Sequence, residues 1–180
     1  MTLIGFLFAS MGALVSEYYN DKSWKKEQRL TLYANEEKEA KEVYKEVMDL
    51  ASRRAYIMYS LTMAFSRSSN QKGAIKENIS EKWKQYEDVT YDWNLVYLRH
   101  KALISLYFGE KYGKDYVNMH LIMRRYGLVL SKLRREDEFN KLEIASAFRY
   151  NNSLEVSMAQ FNYKLLRFIK EKANEKYKVL

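Results

Sequence analysis

Apolar residues recur along this chain at alternating intervals of four and three, and few turn-forming residues interrupt them. The most regular stretch carries Ile79, Trp83, Tyr86, Thr90, Trp93, Tyr97, His100, Ile104 and Tyr107. That spacing keeps one stripe of a long helix turned toward a partner. An earlier stripe of Ala40, Tyr44, Val47, Ala51, Met58, Leu61 and Phe65 predicts a helix over 23–66, with Asn35 as a point where it divides in two. Arg54 interrupts this stripe and is expected to snorkel or to meet a carboxylate.

Turn signals set the expected boundaries. Asn20-Asp21 reads as a linker, 68–73 as a loop, and Asn78 with Glu81 as a capping-box start. Gly109 to Gly113 reads as a break before a helix over 115–135, with Met119, Ile122, Tyr126, Val129 and Leu133 inward. A shorter helix over 136–149 (Phe139, Leu142, Ala145, Phe148) is expected to end at a turn on Asn151-Asn152. Asn152, with Glu155, then caps a last helix carrying Leu154, Met158, Phe161, Leu165 and Phe168.

The first sixteen residues, MTLIGFLFASMGALVS, contain no charged side chain. As a helix they span about 24 Å against a hydrocarbon core of about 30 Å, a mismatch that bilayer thinning can absorb. Tyr18 and Tyr19 follow at the level of the head groups, and Lys22, Lys25, Lys26 and Arg29 come next. No Lys or Arg precedes the run, and Leu14-Val15-Ser16 makes a poor cleavage site, which argues against a signal peptide. A polar face is also lacking, which argues against a helix lying in the interface. The residues therefore predict a membrane helix over 1–20 and a helical-bundle domain over 21–180, on the cytoplasmic side by the positive-inside rule. A buried apolar first helix is the rival reading. Gly5, Ala9, Gly12 and Ser16 fall on one face of the run, where small side chains let two membrane helices approach closely and self-associate. The fold class expected is all-α: a single N-terminal membrane helix followed by an antiparallel bundle of four to five long helices.

Composition sharpens this picture. Proline is absent and only six glycines occur in 180 residues, which leaves little punctuation for sheet corners. Cysteine is absent, which removes disulfides, thiolate metal sites and thiol nucleophiles. The formal charge of +8 favours anionic partners: lipid head groups, an acidic protein or nucleic acid. It is uneven, at −3 over residues 36–49 and +4 over 164–178.

Chemical motifs are scarce. Tyr97 and Val117 stand three residues before His100 and His120, so the Glu-x-x-His pairs of a carboxylate-bridged bundle metal site are missing. The stretch from Gly109 to Asp115 has three residues between its glycines and lacks the Ser or Thr of a phosphate loop. Neither histidine has the upstream Arg of helical ribonucleases. Glu87, Asp88 and Asp92 read as solvated acids, and His100 as a core histidine rather than a pH switch. No cofactor or metal site is expected. Arg124, Arg125, Arg134 and Arg135 form a candidate basic contact face.

Together these features predict a non-enzymatic, membrane-anchored interaction or scaffold protein with a protein partner and self-association through the membrane helix. Two alternatives stand beside it. One is a small membrane-acting effector of a bacterial toxin or defence system, and the other a basic helical nucleic-acid-binding module.

Overall fold

A computed structural model of the protein describes the backbone of residues 3–68, 76–135 and 140–179 and the side chains of 20–68, 78–135 and 140–174. Four helices make up the described chain, and it contains no strand: α1 (Leu3–Ser68), α2 (Lys76–Phe108), α3 (Glu110–Arg135) and α4 (Lys141–Val179). Each helix packs on its neighbours in sequence, α1 and α4 also pack on each other, and there is a lesser α1–α3 diagonal. The side-chain pairings run in opposite directions along neighbours. Glu39, Glu46 and Ser60 of α1 meet Tyr107, Arg99 and Lys82 of α2. His100, Trp93 and Glu87 of α2 meet Tyr116, His120 and Arg134 of α3. The result is an antiparallel four-helix bundle.

α1 is a single helix of 66 residues, about 100 Å long. Neither Asn20-Asp21 nor Asn35 interrupts it. No glycine or proline occurs between Gly12 and Gly73, and the weak preference of Asn for turns, a few tenths of a kcal/mol, loses to cooperative helix propagation. No side chain from 20 to 39 is buried: residues 20–29 are all exposed and form a stalk, while Tyr33, Glu36, Glu37 and Glu39 border a groove with α2 and α4. Acid-then-base pairs one turn apart support the helix: Asp21 with Lys25 at 2.6 Å and Glu37 with Lys41 at 2.5 Å. Each such pair adds about 0.2–0.5 kcal/mol to an unpartnered helix. Among the described residues, no helix is long and apolar enough to cross a membrane. The side chains of Gly5, Ala9, Gly12, Ser16, Tyr18 and Tyr19 lie outside the described residues, as do residues 69–73 of the expected loop and Phe139.

From Ala40 onward the α1 stripe enters the core, with Val47, Ala51, Met58 and Leu61 fully or nearly fully enclosed. On α2 the stripe read from the sequence holds: Ile79, Trp83, Tyr86, Trp93, His100 and Ile104 are buried, and Thr90, Tyr97 and Tyr107 half-buried. On α3, Met119, Tyr126 and Leu133 are buried and Ile122 and Val129 half-buried, while Tyr116, Met123 and Leu130 complete the inner face. Tyr116 is the hub of an aromatic cluster, with Trp93, Tyr97 and Phe161 rings 5.4, 5.6 and 6.1 Å away. Such contacts contribute about 0.5–1.5 kcal/mol each beyond the area they bury.

Two boundaries differ from expectation. The α2–α3 corner is the single residue Gly109, at φ +100°, a conformation that L side chains rarely adopt. Gly113 lies inside α3 and is buried against α2, so close that an added Cβ would stand 2.1 Å from Ser105 Oγ. The turn expected at Asn151-Asn152 does not occur, since α4 passes straight through it. Asn151 is buried and its amide donates to Glu155 at 2.7 Å. The cap is Asn140, whose side-chain oxygen accepts from the Leu142 amide at 2.9 Å. Consequently Leu142 and Ala145, expected inward, are exposed, and Ile144 and Ala147 take the core positions.

Candidate functional site

The α1 stripe places Arg54 between Ala51 and Met58, at a core position, and only 3% of the residue is exposed. It does not snorkel, and among the described residues it meets no carboxylate. Its guanidinium carbon lies 5.4 Å from the centre of the Trp93 ring, and its Nε and Nη1 have no hydrogen-bond partner. Burial lowers its pKa from the ordinary arginine value, an effect that the neighbouring Tyr86 hydroxyl opposes. Guanidinium is too basic to escape the penalty by deprotonating, so the charge stays and needs compensation.

Arg54 forms one wall of a cleft of about 390 Å³ between α1, α2 and α3. α2 contributes Tyr86, Thr90 and Asn94, one turn apart. α3 contributes His120, Arg124, Gly127 and Ser131, spaced four, three and four. Gly127 permits the closest approach, because a Cβ there would stand 2.2 Å from the Tyr86 hydroxyl. The Thr90 hydroxyl is buried without a partner. Among the described residues, no aspartate or glutamate lines the cleft.

His120 is oriented by α2. The Trp93 indole N–H donates to His120 Nδ1 at 2.9 Å, and the ring stacks on Tyr97 with centroids 4.1 Å apart. With Nδ1 accepting, the neutral ring carries its proton on Nε2. Burial pushes its pKa down first, and the charges of Arg54 and Arg124 push it the same way. The site is a concave pocket with two guanidiniums, a neutral imidazole donor and hydroxyls.

A larger groove of about 580 Å³ lies between α1, α2 and α4. There Tyr107 donates to Glu39 at 2.7 Å, and Glu37 accepts from Lys41. His100 is fully enclosed, with Nε2 3.2 Å from Glu46 Oε1. Burial holds its pKa below the ordinary value despite that carboxylate, as befits a core histidine.

The four arginines proposed as a basic face have different surroundings. Arg124 lines the cleft, and Arg134 bonds Glu87 at 3.2 Å with its guanidinium 4.5 Å above the Trp83 ring. Arg125 and Arg135 are exposed, as is Lys22, while Lys25 is tied to Asp21. Reading along the sequence missed the convergence of Arg54, Thr90, Asn94, His120 and Ser131. A signal was there: His120, Arg124, Gly127 and Ser131 repeat the four-three-four spacing with polar or small residues, beside the apolar stripe of α3. No protein-family model, curated protein or solved structure matches the chain.

Proposed function

We propose that this chain is a non-enzymatic, membrane-anchored interaction protein: the apolar start of α1 sits in the bilayer, the stalk emerges on the cytoplasmic side, and the bundle presents a protein-binding surface. The observation that carries this reading is the continuity of α1. One unbroken helix joins the uncharged N-terminal run to an exposed stalk and then to the core stripe beginning at Ala40. A rigid connection of this kind transmits position and orientation from an anchor to a domain, which a flexible linker does not. The protein-binding surface is the outer face of α2, where Tyr91, Leu95, Leu98 and Leu106 are between 65% and 73% exposed. Contiguous apolar side chains on solvent favour protein contacts.

The test is membrane extraction. The full chain is expected to stay with membranes through alkaline carbonate, and Leu3→Lys with Leu14→Lys to release it. Chemical cross-linking reports self-association, which Gly5→Leu with Gly12→Leu is expected to abolish. Partners recovered from native membranes are expected to be lost with Leu95→Asp and Leu98→Asp. Full release of the unaltered chain by carbonate would overturn the reading.

A further inference from the structure

We propose that the cleft between α1, α2 and α3 is a binding site for a phosphate-type oxyanion, held by Arg54 and Arg124 with His120, Thr90, Asn94 and Ser131 as neutral partners. Three independent observations converge on it. Arg54 is almost wholly buried, yet two of its three guanidinium nitrogens have no partner. The Thr90 hydroxyl on the opposite helix is likewise buried and unpartnered. The space that these groups border is open, and among the described residues no acidic side chain lines it to neutralise them.

A buried charge without a counter-charge is a strongly unfavourable arrangement, whereas a bound anion turns the same atoms into strong charge-assisted donors. The Trp93 ring faces the guanidinium, but a cation–π contact leaves the N–H groups unsatisfied. Charge balance selects the ligand class. Two guanidiniums and a neutral imidazole offer a charge of +2, which a phosphate monoester near neutral pH matches and a single carboxylate does not. Its oxygens also suit a set of donors arriving from three helices. The cleft has room for the oxyanion and a small organic group attached to it. The same chemistry is offered by a free phosphorylated small molecule and by a phosphomonoester lipid head group. This inference stands apart from the membrane reading, because the donors are all in the bundle.

The experiment uses the full chain in neutral detergent and follows its unfolding temperature and tryptophan fluorescence during titration with inorganic phosphate, against chloride at equal ionic strength. Phosphate is expected to raise the midpoint saturably and to change the emission of Trp93, which lies beneath Arg54. Arg54→Met and Arg124→Gln are each expected to weaken the response by about tenfold or more. Arg53→Ala, which removes an exposed neighbour paired with Asp49, should respond like the unaltered chain. Arg124 is exposed, so its variant keeps the test sound if Arg54→Met fails to fold. A second arm replaces phosphate with vesicles of phosphatidic acid in phosphatidylcholine, against phosphatidylcholine alone. An Arg54- and Arg124-dependent response to phosphatidic acid only would keep the site and assign it to a head group. Equal behaviour in phosphate and chloride together with no phosphatidic acid effect, or responses that survive both arginine variants, would overturn the site.

Discussion

Trp93 donates its indole N–H to His120 Nδ1 at 2.9 Å, and this one bond decides which nitrogen of His120 keeps the proton. Protonating His120 on Nδ1 would break the bond and place a third cation beside Arg54 and Arg124. Its pKa is therefore depressed by burial and by those two charges, with Trp93 and Tyr97 completing its surroundings. His100, among Glu46, Arg99 and Tyr116, is depressed by burial. In the unfolded chain both titrate near about 6.5. Above that value both states are neutral and the fold has its full stability. As the pH falls through it, the unfolded chain binds protons that the folded chain resists, so stability is lost. The unfolding temperature is expected to drop between about pH 7.5 and about pH 5.5. His120→Asn, which retains an acceptor for Trp93 without a titrating ring, should flatten part of that slope, and His100→Asn a further part. Thermal melts of both variants check this, and an unchanged slope in the double variant would refute it.

Gly127 and Tyr86 form a pair whose coupling has a predictable sign. An alanine Cβ at 127 would stand 2.2 Å from the Tyr86 hydroxyl but 3.5 Å from the ring carbon that bears it, an ordinary contact. Gly127→Ala is expected to cost about 1–3 kcal/mol by displacing that hydroxyl. In a Tyr86→Phe background the obstruction is gone, and the helix preference of alanine, worth about 1 kcal/mol, should make the same change stabilising. A double-mutant cycle in urea reads this directly. Additive effects would mean that the two residues do not meet.

The sequence offers Asn152 as the cap of the last helix, and the structure places the cap at Asn140 instead. Only Asn140 holds a backbone amide, that of Leu142. Asn140→Ala is therefore expected to cost about 1 kcal/mol. Asn152→Ala, on an exposed face inside α4, should gain about 0.5 kcal/mol from helix propensity. Equilibrium unfolding of the two variants would show the opposite order if α4 were broken at 151–152.

The contrast between those two asparagines explains what can be read from one dimension. Long stripes such as that of α2 are legible because each position repeats the same demand, one face on a neighbour. Single turn-forming residues are not, because they have other uses. Asn151 bonds its own helix at Glu155, and Gly113 makes room for Ser105. The candidate site is half-legible for the same reason. Arg54 stands out as a charge on an apolar stripe, but its company, Thr90 from one helix and His120 and Arg124 from another, is set by how three stripes pack, to which no local rule refers.

The stalk supplies the last expectation. Every described side chain from 20 to 29 is exposed, so this stretch is helical by its own propensity and its i,i+4 pairs rather than by packing. Gln28→Pro removes a backbone donor and clashes with the preceding turn, at a cost of about 3 kcal/mol to an interior helix position. If the stalk and bundle are energetically separate, that cost is met by local fraying. Circular dichroism should lose a few turns of helix, and the bundle should keep its unfolding midpoint. Ala51→Pro, inside the core stripe, should abolish the cooperative transition instead. In a bilayer the kink also changes geometry: residues 20–39 as an intact rod hold Ala40 about 30 Å from the start of the stalk, and a break at 28 lets the bundle swing inward. Energy transfer from a dye on the bundle to acceptors at the membrane surface is expected to rise in Gln28→Pro. An unaltered transfer efficiency would show that the rod is not what sets the distance, and a fallen midpoint that the stalk belongs to the cooperative core.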